Sequence, residues 1–170
     1  MISGTRGKST MRWLGMFWAT VLLFVTFPAA GAEEIAGFRG VKWGTELAAL
    51  NSAEFVRVPS FQGIAPGMES YRRQNDELKV AGVTVENINY NFRKGKLVSV
   101  NIDFKGFIVY ERLLAFCRGE FGPPAGSMMK NMEYIHMFEA TRTGALLYLQ
   151  LTTPIFSDGR LFYYSREYFD

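Results

Sequence analysis

The chain is poor in the residue types from which most catalytic and metal centres are built. It has a single histidine, His136, and a single cysteine, Cys117, among 170 residues. Metal sites usually combine several His, Cys or acidic side chains at ligand spacing, and the sequence contains no such cluster. A Ser-His-Asp hydrolase would need His136 as its base, yet no Gly-x-Ser-x-Gly segment is present. We therefore expect no metal, no cofactor and no catalytic residue.

A lone cysteine also excludes an internal disulfide, so an ordinary apolar core must stabilise the fold. Cys117 lies on the apolar stripe of a predicted helix, where a buried thiol behaves as a small hydrophobic side chain. The 138 residues from 33 to 170 are enough for one such core, and they contain no repeat of solenoid length. We predict one domain over residues 33–170.

The excess positive charge of the chain lies in its first twelve residues. Arg6, Lys8 and Arg12 are three of the 19 Lys and Arg residues, so 16 cations face 16 acidic residues in the remainder. A neutral domain lacks the positive surface that binds nucleic acid. It also lacks the basic patch that holds proteins on anionic lipid. We expect neither kind of partner.

The first 32 residues have the three-part pattern of a secretory signal peptide. The basic residues precede an apolar run, Leu14 to Phe27, and the small residues Ala30-Gly31-Ala32 supply a cleavage site. The apolar run is shorter than the about 20 residues that span a membrane, and no cysteine at the cleavage site can carry a lipid. We predict cleavage after Ala32 and a periplasmic protein without an anchor or lipidation. An uncleaved anchor and release into the medium are the alternatives.

The clearest strands are Thr84–Phe92 and Lys96–Phe104, joined by the three-residue loop Arg93-Lys94-Gly95. Their alternation of apolar and polar residues predicts an antiparallel hairpin with one buried and one solvent-exposed face. In the predicted register Tyr90 pairs with Val98. The residues expected on the exposed face are Asn87, Asn89, Asn91, Ser99, Asn101 and Asp103.

A second hairpin is predicted from Glu133–Thr141 and Ala145–Thr152, with Arg142-Thr143-Gly144 as its loop. In this register Phe138 pairs with Tyr148 and His136 pairs with Gln150 on the face away from the core. The buried face is expected to consist of Ile135, Met137, Leu147, Leu149 and Leu151.

Helical spacing is strongest over Phe107–Phe121, where apolar residues recur every three or four positions before Gly122 and Pro123 end the pattern. A short helix is predicted over Glu46–Asn51 with Thr45 as its N-cap. The remaining predicted elements are extended segments at Phe38–Trp43 and Phe55–Val58, a polar edge strand at Glu69–Asn75 and a final strand at Arg160–Ser165. The fold class is α+β: a largely antiparallel sheet of hairpins, with one long helix and one short helix packed on one face.

Two segments resemble small exported bacterial proteins of unknown function. Phe38–Leu50 carries their Phe-Arg-Gly-x-x-Trp-Gly opening, and Tyr90–Pro124 has their order of strand, tight turn, strand, helix and Gly-Pro. More loosely, this order resembles the helix-plus-sheet modules of outer-membrane assembly lipoproteins and of β-lactamase inhibitor proteins. Those modules bind proteins, so the resemblance implies binding rather than catalysis. The chain departs from the lipoproteins because it has no cysteine at the cleavage site to bear a lipid.

We therefore predict a non-enzymatic periplasmic binding module, monomeric or weakly oligomeric, that recognises an envelope protein or a peptide through the exposed face or an edge of its sheet. Exposed aromatic side chains often anchor such surfaces. The expected binding residues are Trp43, His136, Phe138 and Tyr148. The alternatives are a small hydrolase that uses His136 and a ligand-binding domain with an aromatic pocket.

Overall fold

The computed structural model describes residues 36–59, 66–130, 133–140, 145–152 and 158–169. The leader predicted over residues 1–32 and most of the loop predicted at Pro59–Gly67 lie outside this part of the chain. The described helical elements are α1 (Phe107–Phe121), the short α2 (Arg166–Phe169) and one 3-10 turn, Leu47–Ala49. The described strands are β1 (Gly37–Phe38), β2 (Val41–Lys42), β3 (Phe55–Val58), β4 (Met68–Arg73), β5 (Lys79–Val80), β6 (Val83–Thr84), β7 (Asn87–Arg93), β8 (Lys96–Lys105), β9 (Gly126–Lys130), β10 (Glu133–Ala140), β11 (Ala145–Thr152) and β12 (Asp158–Ser165).

Eight strands form one antiparallel sheet in the spatial order β3-β4-β7-β8-β12-β11-β10-β9. The sheet consists of two four-stranded meanders, one ending in β8 and the other in β12, and these two last strands pair at the centre. Helix α1 connects the two meanders. The α+β class with a largely antiparallel sheet is confirmed. The outer strands among the described residues are β3 and β9, so the segment predicted as a polar edge strand, β4, is instead an inner strand.

Helix α1 begins and ends at the predicted residues, and its apolar stripe packs on the sheet. Tyr110, Leu113, Leu114 and Cys117 are buried, which confirms the prediction of Cys117 as a core residue. The chain leaves the helix at Gly122, whose φ of 81° suits a residue without a side chain. The largest fully buried side chains of this core are Phe38, Tyr90, Phe92, Leu97, Val100, Ile102, Phe104, Leu113, Phe138 and Leu161.

The hairpin of β7 and β8 has a tighter turn than predicted. Lys94 and Gly95 have φ of 50° and 76°, the values of a two-residue type I′ turn. The tighter turn shifts the pairing by one residue, and a bulge after Leu97 shifts it by one more, so Tyr90 pairs with Val100 rather than with Val98. A shift of two residues keeps the predicted faces because side chains alternate with a period of two. A bulge at Val98 breaks this rule locally, so Leu97 and not Val98 belongs to the core cluster.

The second hairpin is displaced by one residue from the predicted register. Phe138 pairs with Leu147 and His136 with Leu149, while Met137 pairs with Tyr148. A shift of one residue moves every side chain of β10 to the other face of the sheet. Phe138 therefore lies in the core with no exposed surface, and the predicted pairing of Phe138 with Tyr148 is wrong.

The sheet face predicted to be exposed to solvent is largely buried. Asn91 and Ser99 have no exposed surface, and Asn89 and Asn101 are also buried. Ser70 on β4 donates a hydrogen bond to Asn91 Oδ1 (2.7 Å), and Asn91 Nδ2 donates to Ser99 Oγ (3.1 Å) and Asn101 Oδ1 (3.3 Å). These hydrogen bonds compensate the polar atoms for the loss of water. The prediction of a solvent-exposed polar face is therefore wrong.

Three further elements differ from the sequence predictions. The predicted helix over Glu46–Asn51 is only the 3-10 turn, and Glu46 rather than Thr45 occupies its N-cap position, without a side-chain hydrogen bond. The predicted extended segment Phe38–Trp43 is the hairpin of β1 and β2. Strand β9 was not predicted from the sequence, because Gly126–Lys130 shows no alternation of apolar and polar residues.

Candidate functional site

The Phe-Arg-Gly-x-x-Trp-Gly opening has a structural role in this fold. Arg39, at the turn of the first hairpin, forms an ion pair with Asp76 and donates hydrogen bonds to the carbonyl oxygens of Glu77 and Lys79, both at 2.6 Å. The other oxygen of Asp76 accepts a hydrogen bond from the Tyr90 hydroxyl at 2.8 Å. Burial and the negative charge of Asp76 raise the Tyr90 pKa well above its usual range. The motif thus connects the first hairpin to the loop after β4 and to the central sheet.

Trp43 lies at the end of this motif and is only half-exposed. Its side chain packs against the hydrophobic core, and its backbone N–H donates to the carbonyl oxygen of Ala36 (3.1 Å). The next residue, Gly44, donates to the carbonyl oxygen of Leu97 at 2.8 Å. The position of Trp43 is therefore determined by packing next to β8.

The four predicted binding residues are not gathered at one place. Phe138 is enclosed in the core, where a partner has no access to its ring. Tyr148 lies in β11, and its side chain is outside the described part of the chain. Trp43 and His136 lie on different elements, and no described contact joins them. Of the four, His136 alone has a described polar environment in which sequence-distant groups meet.

His136 connects three elements of the fold. On one side of its ring, Nε2 lies 2.9 Å from the hydroxyl oxygen of Tyr110 in α1. On the other side, Nδ1 lies 2.8 Å from Ser127 Oγ in β9. The rings of Tyr110 and His136 are stacked, with centroids 6.3 Å apart. The sequence does not single out Ser127, because the strand that carries it shows no alternation of apolar and polar residues.

The electrostatic environment keeps both rings neutral at neutral pH. Burial lowers the pKa of His136, and the positive charge of Arg118 lowers it further. Burial raises the Tyr110 pKa; Glu111 adds to this rise and Arg118 opposes it. A neutral imidazole carries one proton, so it accepts a hydrogen bond from one hydroxyl and donates one to the other.

This arrangement is a poor catalytic triad. The base of a serine hydrolase is oriented by a carboxylate that also stabilises the imidazolium formed during the reaction. In this site the second ring nitrogen of His136 faces the phenol of Tyr110, and Arg118 disfavours the imidazolium. The Ser127–His136 contact has the length of a nucleophile–base pair but lacks that electrostatic support.

Exposed apolar side chains surround His136. Met129 pairs with Tyr134 across β9 and β10, two residues beyond the pair of Ser127 with His136, so these four residues share one face. Met129 is 69% exposed and Tyr134 is 45% exposed. Phe107, which is also exposed, extends the surface because its ring lies 5.8 Å from that of Tyr110. We call the surface formed by Phe107, Ser127, Met129, Tyr134 and His136 the edge patch.

The two outer strands of the sheet differ in how they are protected. In β3, the charged side chain of Arg57 forms an exposed ion pair with Glu69 at 2.9 Å, and Pro59 follows the strand. Charges and prolines of this kind discourage pairing with another chain. In β9, Met128 and Met129 are both exposed, on opposite faces, and the only charge is that of Lys130 at the end. Among the described strands β9 pairs only with β10, so its other side has no partner strand in the described part of the chain.

The described residues contain no group of three or more His, Cys, Asp or Glu placed to hold a metal ion. The same part of the chain includes no helix with the length and hydropathy needed to cross a membrane. Comparison with models of protein families, with curated proteins and with solved structures finds no match to this chain.

Proposed function

We propose that the protein is a non-enzymatic periplasmic binding module that takes up an extended segment of an envelope protein or a peptide along the free edge of β9. The observation that carries this proposal is an outer strand with exposed methionines on both faces and little protection by charge. An extended segment is the one backbone conformation that matches the unpaired N–H and C=O groups of a strand edge.

The edge patch supplies side-chain contacts for such a segment. Residues of a bound strand alternate between the two faces of the sheet. Side chains of the bound segment that point to the sheet face covered by α1 meet Met129 and Tyr134 at one position. Two residues away they meet the more polar pair of Ser127 and His136. Those on the other face meet Met128. Methionine side chains adapt to partners of different shape, and tyrosine adds a rigid anchor with a polar end.

In this proposal three of the binding residues predicted from the sequence have different roles. His136 belongs to the edge patch, and Phe138 holds β10 in the core beneath it. Trp43 packs against the core next to the first hairpin, and the proposal assigns it no contact with the bound segment. The signal peptide, the periplasmic location and the monomeric or weakly oligomeric state remain part of the proposal, as predicted from the sequence.

A substitution in β9 with a matched control in β3 tests the proposal. Met129→Lys places a charge on the edge patch, and Val56→Lys places the same charge on the opposite outer strand, where Val56 is 45% exposed. Each form of the full chain serves as bait for envelope extract, and mass spectrometry identifies the proteins retained. We expect wild type and Val56→Lys to retain the same protein and Met129→Lys to lose it. Equal retention by Met129→Lys would contradict the proposal.

A small hydrolase is the second candidate, and the 2.8 Å contact between Ser127 and His136 is the observation in its favour. A serine nucleophile would form a covalent adduct with a fluorophosphonate probe. The adduct would be absent from Ser127→Ala. We expect no labelling of Ser127 in wild type, because the environment of His136 disfavours the protonated form that catalysis requires.

A further inference from the structure

Strand β9 has the length and composition for pairing with an identical copy of itself. Its five residues, Gly126–Lys130, have Met128 at the centre and a single charge, that of Lys130, at one end. The other outer strand of the described sheet, β3, contains Arg57 within the strand and is followed by Pro59. An outer strand without such protection is a template for another strand, and in a solution of this protein the same edge of a second molecule is always present.

We propose that two copies of the chain associate through β9, which pairs antiparallel with β9 of the second copy about a two-fold axis at Met128. The two sheets then continue into one. Two-fold dimers are the commonest oligomers, and they use the same surface on both molecules. This inference goes beyond the proposed function, because it names the occupant of the β9 edge when no envelope segment is bound. The two occupants need the same backbone groups and therefore exclude each other.

The length of β9 and the position of its charge favour one register. With the axis at Met128, all five residues of one strand pair with all five of the other: Ser127 faces Met129 of the second copy, and Gly126 faces Lys130. The two Lys130 residues then lie about 13 Å apart along the strands, more than the Debye length of about 8 Å at physiological ionic strength. Parallel pairing would instead place these like charges side by side.

On the sheet face covered by α1, the pairing joins the two edge patches. Within one molecule Met129 pairs with Tyr134, and Ser127 pairs with His136. Because Ser127 faces Met129 of the second copy, each methionine lies next to the polar pair of the other molecule, and the two-fold axis repeats this contact. Met129 is 69% exposed in the single chain, so the pairing removes apolar surface from water twice.

On the opposite sheet face, the two central methionines meet. Met128 pairs with Ile135 of β10, which is buried, while Met128 itself is 47% exposed. Pairing about Met128 therefore extends a buried apolar position across the interface. A five-residue strand and its neighbouring side chains form a smaller contact than the about 20–30 residues a side of a stable interface. We accordingly expect a weak dimer, with a dissociation constant above about 1 μM.

Cysteine cross-linking of the full chain tests both the dimer and its register. Directly opposite residues of an antiparallel pair have Cα atoms about 4.5–5.5 Å apart, within the range of a disulfide. Met128→Cys meets this condition with its own copy. Met129→Cys, the matched control, lies two residues out of register with its copy, at about 8 Å, which is too far. Under a mild oxidant we expect Met128→Cys to form the disulfide-linked dimer at least about tenfold faster, although Met129 is the more exposed residue. Cys117 has no exposed surface, so wild type should not cross-link.

Sedimentation of the full chain over a range of concentrations tests the dimer without a covalent bond. Met128→Lys places two like charges directly opposite each other at the axis, which disfavours pairing. We expect the dissociation constant to rise more than about tenfold relative to wild type. Val56→Lys, which carries the same charge at a 45% exposed position of β3, should leave it unchanged.

The outcomes separate the dimer from the proposed function. Cross-linking of Met128→Cys no faster than that of Met129→Cys would overturn the proposed pairing, and so would equal dissociation constants for Met128→Lys and wild type. A purely monomeric wild type, together with loss of the retained envelope protein in Met129→Lys, would contradict the dimer alone. A dimer with the expected register, together with unchanged retention by Met129→Lys, would support the dimer and contradict the proposed binding edge.

Discussion

Replacing Phe138 by alanine tests whether β10 faces the core as described. The Phe138 ring has no exposed surface and lies among the residues that α1 covers. Truncating a fully buried phenylalanine costs about 3–5 kcal/mol, because apolar contact is lost and a cavity remains. In the register predicted from the sequence the same ring faces away from the core, where substitution costs less than about 0.5 kcal/mol. The two registers therefore predict losses in the free energy of unfolding that differ by several kcal/mol.

The assay is urea unfolding of the full chain, followed by circular dichroism. We expect the free energy of unfolding to fall by about 3–5 kcal/mol with an unchanged m-value, and the thermal midpoint to fall by about 10 °C. Tyr134→Ala is the matched control, because Tyr134 lies in the same strand but is 45% exposed. A loss below about 1 kcal/mol for Phe138→Ala, or equal losses for the two variants, would refute the described register.

Two further substitutions test the polar contacts. Asn91→Ala should lower the free energy of unfolding by about 1–3 kcal/mol, because Ser70 and the other buried partners of Asn91 lose a hydrogen bond that water does not replace. Asn89→Ala is the control in the same urea titration. It should lower the free energy of unfolding by less, because Asn89 occupies a less enclosed position of β7. Arg39→Ala should destabilise the protein by about 2 kcal/mol, because it removes the ion pair with largely buried Asp76 and two bonds to carbonyl oxygens. Equal stability of Arg39→Ala and wild type would show that the geometry of the first hairpin does not depend on this ion pair.

The sequence alone was sufficient to predict the elements in which a periodic pattern of apolar residues extends over many positions. The stripe of apolar residues in α1 and the glycine after it predicted both ends of that helix, because helix formation depends on contacts three and four residues apart. The alternation in β7 and β8 likewise predicted a hairpin and its buried face. A two-residue error in register did not change that face, since side chains in a strand repeat every two residues.

The candidate site was less accessible to sequence reasoning. His136 was identified as a polar strand residue, but its partners Tyr110 and Ser127 are 26 and 9 residues away. Tyr110 looked like an ordinary core residue of the helix. Ser127 lies in a strand without alternation, which exists because β10 provides its hydrogen-bonding neighbour.

The sequence by itself determined the fold class, the long helix and, away from the bulge at Val98, which residues of the two predicted hairpins share a face, since these follow from short-range periodicity. Tertiary structure alone decided which face of β10 meets the core, because a one-residue change in pairing preserves the alternation while exchanging the two faces. It also decided that the asparagine-rich face is buried. Periodicity shows that these side chains lie together, but only their surroundings determine whether water or one another satisfies their hydrogen bonds.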